Sequence, residues 1–136
     1  MSTRRVLVVD DEPFIMRSLS FVLRREGYEV LEAHDGEQAV EVLHREVPDL
    51  VFLDVMMPKR TGYEVLEEIR GSDALGRCLV IMLTAKGQDS DREKGLAMGV
   101  DEYMTKPFSP LKVVERVREM LDRRARTDPV EDPNPA

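Results

Sequence analysis

A short β-rich run followed by a longer segment with helical spacing recurs along almost the whole chain, and this alternation restricts the fold more than any other feature. The strand candidates are Arg5–Val9, Glu29–Ala33, Leu50–Leu53, Cys78–Leu83 and Glu102–Met104. The helix candidates are Pro13–Glu26, Gly36–Glu46, Gly62–Arg70, Ser90–Met98 and Ser109–Arg124. The third and fourth strand runs are almost continuously apolar, as strands buried on both faces are. Helical spacing places Ile15, Leu19 and Val22 on one face, Ala39, Val40, Leu43 and Val47 on a second, and Leu111, Val114, Val117 and Leu121 on a third. Punctuation agrees with these limits. Gly27 stands where a left-handed C-cap residue is wanted, and Pro13 and Pro110 suit first helical turns. Arg123, Arg124 and Arg126 sit favourably at the C-terminal end of the last helix dipole. Repeated strand–helix units imply parallel strands joined by right-handed crossovers, with helices on both faces. The predicted fold is one three-layer α/β domain, a doubly wound (βα)5 unit, with its functional crevice beyond the carboxyl ends of the strands.

A length of 136 residues supports one core. The domain is expected to occupy residues 1–124. Residues 125–136 read as a disordered Pro-rich tail or linker stub, because three of the eight prolines fall after Thr127 and periodicity ends there. The net charge of −7 argues against direct nucleic-acid binding, which draws on a basic face. One cysteine excludes an internal disulfide and fits a reducing compartment. The apolar runs fall far short of the roughly 20 residues of a membrane span, and the N-terminus lacks a signal-peptide core. A soluble cytoplasmic domain with no membrane contact is expected.

Four of the five predicted strands deliver a polar group to the same sheet edge: Asp10-Asp11-Glu12 after the first, Asp54 after the third, Thr84 after the fourth and Lys106-Pro107 after the fifth. Only His34 and Asp35 follow the second. Taken singly, an acidic turn is a solvated helix start, a threonine a turn residue and a lysine a surface charge. Asp54 differs, because it interrupts the apolar stretch Val51-Phe52-Leu53 and Val55-Met56-Met57, where an unpaired carboxylate is costly. Carboxylates converging on one edge repel one another unless a cation intervenes, and an all-oxygen donor set favours Mg2+. A carboxylate, a Mg2+ site, a hydroxyl and an ammonium are what phosphoryl transfer to aspartate requires.

The stretches Val6–Pro13, Leu53–Pro58, Leu83-Thr84-Ala85 and Asp101–Phe108 closely resemble the signature blocks of bacterial response regulator receiver domains, in order and at the right strand ends. The resemblance runs from about Arg4 to Arg124 and implies sheet order 2-1-3-4-5, as in the CheY-like superfamily. It implies that Asp54 is the phosphoacceptor, taking its phosphoryl group from a sensor histidine kinase or a histidine phosphotransfer protein. Asp11, Asp54 and the carbonyl of Met56 would ligate Mg2+, with Asp10 ligating directly or through water. Thr84 and Lys106 would contact the phosphoryl group, Lys106-Pro107 would be a cis peptide, and Thr84 and Tyr103 would form the switch. Ala85 would leave Asp54 reachable. Met56 and Lys86 occupy positions that tune phosphoryl loss, and neither is an acid or amide that would position water, so slow to moderate self-dephosphorylation is expected. The protein would be a signalling switch that catalyses its own modification, not a turnover enzyme.

The output surface is expected around the Ser90–Met98 helix, punctuated by Gly87, Gly95 and Gly99, together with the fifth strand and the last helix. A haloacid dehalogenase-type phosphatase fits poorly, since Met56 stands where its second aspartate belongs. A vestigial receiver acting only as an interaction module is a further alternative, though no key position is substituted. The output protein is unidentified. The chain reads either as a stand-alone receiver or as the receiver of a winged-helix transcriptional regulator. Arg92, Asp101 and Arg116 could pair in a weak phosphorylation-dependent dimer, but Lys112 stands where an acidic partner is wanted, and a monomer is the alternative. His34, His44 and Cys78 are isolated and carry no metal signal.

Overall fold

The structure is a computed structural model that describes residues 3–85 and 97–127. Its elements run β1 (Arg5–Val9), α1 (Pro13–Arg25), β2 (Glu29–Ala33), α2 (Gly36–Glu46), β3 (Leu50–Asp54), α3 (Gly62–Arg70), β4 (Leu79–Ala85), β5 (Glu102–Lys106) and α4 (Pro110–Thr127). The strands form one sheet in the order β2-β1-β3-β4-β5, every neighbouring pair parallel. The doubly wound architecture expected from the alternation is therefore present. The helix expected at Ser90–Met98, together with Lys86, Gly87, Arg92 and Gly95, falls wholly or mainly outside the described residues.

Strand alternation divides the core in two. Leu7, Val9, Val51, Leu53, Val80 and Met82 pack beneath α2 and α3 with Leu43, Leu66 and Ile69. Val6, Val8, Leu50, Phe52, Ile81 and Leu83 pack against α1 and α4 through Leu19, Leu23, Val117 and Leu121 on the other face. Three layers follow directly.

Three strands run further than their apolar stretches suggested. The ladder continues through Asp54↔Leu83, Thr84↔Thr105 and Ala85↔Lys106, so these polar residues occupy the final rungs of the sheet rather than the loops beyond it. Their backbones are thus held in the ladder of a neighbouring strand.

The helix faces are rotated from the expected ones. On α1 the buried residues are Met16, Leu19, Ser20 and Leu23, and Ile15 and Val22 pack only at the edge. Val47, expected in the core, is 47% exposed and forms the left-handed C-cap of α2 at φ 45°, because Pro48 disfavours helical continuation at the preceding residue. Leu111 is 74% exposed, while Val113, Val114, Val117, Met120 and Leu121 are buried. Six residues before Val117, Leu111 sits about 120° round the helix from that face. Helix α4 also continues to Thr127, past the expected end at Arg124.

Cys78, just before β4, is buried, and burial pushes its thiol up to about 12. The thiolate is the reactive form, so Cys78 should resist alkylation near neutral pH in the folded protein and label fully after denaturation. Rapid labelling at native conditions, read by intact mass, would show that the β4 entrance opens without global unfolding.

Candidate functional site

At the carboxyl edge of the sheet, β1, β3 and β5 bring Asp10, Asp54 and Lys106 together. Asp10 is fully buried, and Asp54 and Thr84 are almost so. The Lys106 ammonium lies 3.0 Å from Asp10 Oδ2, 3.1 Å from Asp54 Oδ2 and 3.1 Å from Glu12 Oε1. It donates hydrogen bonds to Asp54 and Glu12. Asp10 Oδ2, though close in charge, is not aligned with a donor and has no hydrogen-bond partner among the described residues. The other carboxylate oxygen of Asp10 accepts from the Glu12 amide at 2.9 Å, and Asp54 Oδ1 accepts from the Met56 amide at 3.1 Å.

The electrostatics follow from this crowding. Desolvation, then the neighbouring Asp10 charge, push Asp54 up to about 6 against the opposing pull of Lys106. Burial alone would lower the Lys106 ammonium, but Asp10, Asp54 and Glu12 outweigh it and raise the group. Two buried carboxylates share one half-buried cation.

The loop after β3 is fixed by its sequence. Thr61 and Glu64 form a capping box at the start of α3, and the Gly62 amide donates to the Val55 carbonyl at 3.0 Å. A Cβ at Gly62 would lie 2.6 Å from the Asp54 carbonyl oxygen. Only glycine permits α3 to begin so close to the end of β3. Asp35, which has no place at the site, caps α2 through the Gln38 amide.

Asp10, Glu12 and Asp54 each offer an oxygen within 4.8 Å of the others. The orphaned Asp10 oxygen and the buried Asp54 carboxylate beside it fit a hard divalent cation, while the exposed Glu12 carboxylate is taken by Lys106. Glu12 is the residue that the sequence reading did not assign to the site. Period-two alternation carried past the end of β1 would have placed it on the Asp10 side. Asp11 is exposed and stands outside this group.

The remaining candidates are placed as follows. Met56 is 65% exposed beside Asp54, and Ala85 is exposed at the end of β4. Lys106-Pro107 is a cis peptide. Tyr103 is buried, with its hydroxyl 3.4 Å from that of Tyr63. Of the residues nominated for a dimer, Asp101 pairs with Arg70 at 2.8 Å and Arg116 with Glu102 at 2.9 Å. Among the described residues no helix is long and apolar enough to cross a membrane.

A model of the response regulator receiver domain matches residues 6–118. The alkaline phosphatase synthesis transcriptional regulatory protein PhoP of Bacillus subtilis is 46% identical over 120 residues, covering 88% of this chain and 49% of that relative. The chain thus spans about half the length of this curated relative. Among solved structures, the CheY-like receiver domain protein of Methanospirillum hungatei superposes with a TM-score of 0.86 at 30% identity, covering 92% of this chain and 98% of the other. The chemotaxis response regulator CheY4 of Vibrio cholerae gives 0.81 at 30% identity, covering 87% and 98%.

Proposed function

Because the chain belongs to the response regulator receiver domain family of two-component signalling, we propose that it is switched by Mg2+-dependent phosphorylation of Asp54. The observation that carries this reading is the pairing of the buried Asp54 carboxylate with Lys106 at 3.1 Å, beside the orphaned oxygen of Asp10. The donor is a phosphohistidine on a sensor kinase or phosphotransfer protein. An Asp54 oxygen attacks phosphorus in line, the P–O bond forms as the P–N bond breaks, and the imidazole leaves with the electron pair. Lys106 moves from carboxylate to phosphoryl oxygen, and Thr84, one rung along β4, donates its hydroxyl to the same group. Asp10, Asp11 and Asp54, with the Met56 carbonyl, would hold Mg2+, which when bound neutralises charge on the phosphoryl oxygens.

The added charge of about −1.5 to −2 biases Thr84 and Tyr103, and through them the surface of β5 and α4; the Ser90–Met98 part of that output surface lies outside the described residues. The likeness to PhoP supports reading the chain as the receiver of a transcriptional regulator. The intrachain pairs of Asp101 and Arg116 favour a monomer before phosphorylation.

The test is intact-protein mass after incubation with Mg2+ and acetyl phosphate. One added phosphoryl group is expected, absent from Asp54→Ala and absent with a chelator. A folded wild-type protein that never gains this mass would overturn the reading.

A further inference from the structure

Glu12 has no evident structural task of its own. It is the N-cap residue of α1, yet its side chain makes no capping hydrogen bond. Its amide is anchored by Asp10 Oδ1, and its carboxylate reaches over the site to Lys106, 58% exposed where Asp10 and Asp54 are buried. We propose that Glu12 is a positioning residue that occupies Lys106 in the resting state and competes with the incoming phosphoryl group for its ammonium. This rests on Asp54 being the phosphoacceptor.

An ammonium has three donors and no more. Asp54 and Glu12 already take hydrogen bonds from Lys106, and Asp10 stands against it at 3.0 Å. The phosphoryl group can take over the donor that Asp54 releases, but any further hydrogen bond from the ammonium must be won from Glu12 or Asp10. Asp10 is fully buried and would be held by Mg2+ rather than released to solvent. Glu12 can leave, since an exposed carboxylate exchanges an ion pair for hydration at little cost. Glu12 also puts a negative charge at the mouth through which an anionic donor enters. Its removal frees one Lys106 donor and lowers that charge together.

In the reaction with acetyl phosphate an Asp54 oxygen attacks phosphorus, the P–O bond to the acetyl group breaks, and acetate leaves with the electron pair. No proton is gained or lost. Glu12→Gln is expected to speed this step by about two- to fivefold, the factor an exposed ion pair supports. Its Mg2+ dissociation constant, measured by calorimetry without donor, should stay within about twofold of the wild type.

Glu12→Asp separates contact from charge, since it keeps the carboxylate but shortens the reach to Lys106. An Asp variant as fast as the Gln variant supports the competition. An Asp variant that behaves like the wild type overturns it, leaving only a general field effect. A Gln variant with unchanged or slower phosphorylation, or with Mg2+ affinity weakened about tenfold, also overturns it, and the latter would make Glu12 a metal ligand. A wild type that gains no phosphoryl group would remove the underlying Asp54 reading itself.

Discussion

Replacing Lys106 by methionine is expected to destabilise the metal-free protein by about 3 kcal/mol near neutral pH and to slow phosphorylation by about a hundredfold. Methionine keeps the length of the side chain, so the loss reports charge rather than a cavity. Without the ammonium, Asp10 and Asp54 face one another almost wholly out of solvent, and breaking a buried pair by removing one partner is far costlier than replacing both.

The pH dependence has a definite sign. With Lys106 in place Asp54 is raised to about 6 from its usual 3.8, so the folded state already binds a proton more tightly than the unfolded chain. Ionised Asp54 therefore costs the wild-type fold stability that is absent below about pH 3.8, grows as pH rises, and is complete above about 6. At neutral pH this corresponds to about 3 kcal/mol, which solvent screening reduces to about 1–2. Lys106 opposes the rise, so its removal carries Asp54 higher and widens the window upward.

Urea denaturation in chelator should therefore show only a small loss for Lys106→Met at about pH 5, where Asp54 is largely protonated in both proteins, and a loss that grows from about pH 6 upward. Millimolar Mg2+ should recover part of it by binding the two carboxylates. A loss independent of both pH and Mg2+ would mean that Lys106 supports the fold by packing alone.

What the sequence discloses about this site depends on how local each signal is. Asp54 could be found because its neighbours on both sides are apolar, and a charge inside such a run demands a reason. The ladder that carries Thr84 and Lys106 on the final rungs is not local. It requires β4 to pair with β5 across a gap in sequence, so the apolar runs ended too early at Leu83 and Met104. Val47 and Leu111 show the same limit on helices. Each continues the hydrophobic repeat by residue type, but one follows the last helical residue and the other lies round the side of α4 from the buried face. Ser20 is the reverse case, a polar residue within the buried face of α1, tolerated because its hydroxyl donates to Glu32 at 2.8 Å. Glu12 is passed over because three adjacent carboxylates look alike, and only alternation carried past the end of β1 singles out the two that share a side.

Arg70 is a second residue whose importance only the folded chain reveals, and Arg70→Ala should destabilise the protein by about 3 kcal/mol. At the end of α3 it donates through Nε and Nη2 to the Gly99 carbonyl at 3.0 and 2.7 Å. Nη1 reaches the carbonyls of Gly76 and Cys78 at 3.1 and 2.8 Å. Nη2 also pairs with Asp101 at 2.8 Å, and the same Asp101 oxygen accepts from the Val80 amide at 2.8 Å. One guanidinium thus ties α3, the entry to β4 and the entry to β5 together. These ends carry no regular ladder of their own, so the hydrogen bonds have no ready replacement. Lysine should not rescue the loss, since a point charge cannot serve carbonyls on several sides of a planar fork. Asp101→Asn, which keeps an oxygen for Val80, should cost about 1 kcal/mol. The proposed phosphorylation site lies at the opposite, carboxyl edge of the sheet. Arg70→Ala that remains folded at low temperature should therefore take up phosphoryl groups within about twofold of the wild-type rate while its urea midpoint falls. A large loss of rate in folded protein would show instead that the entry of β5 controls where its far end holds Lys106.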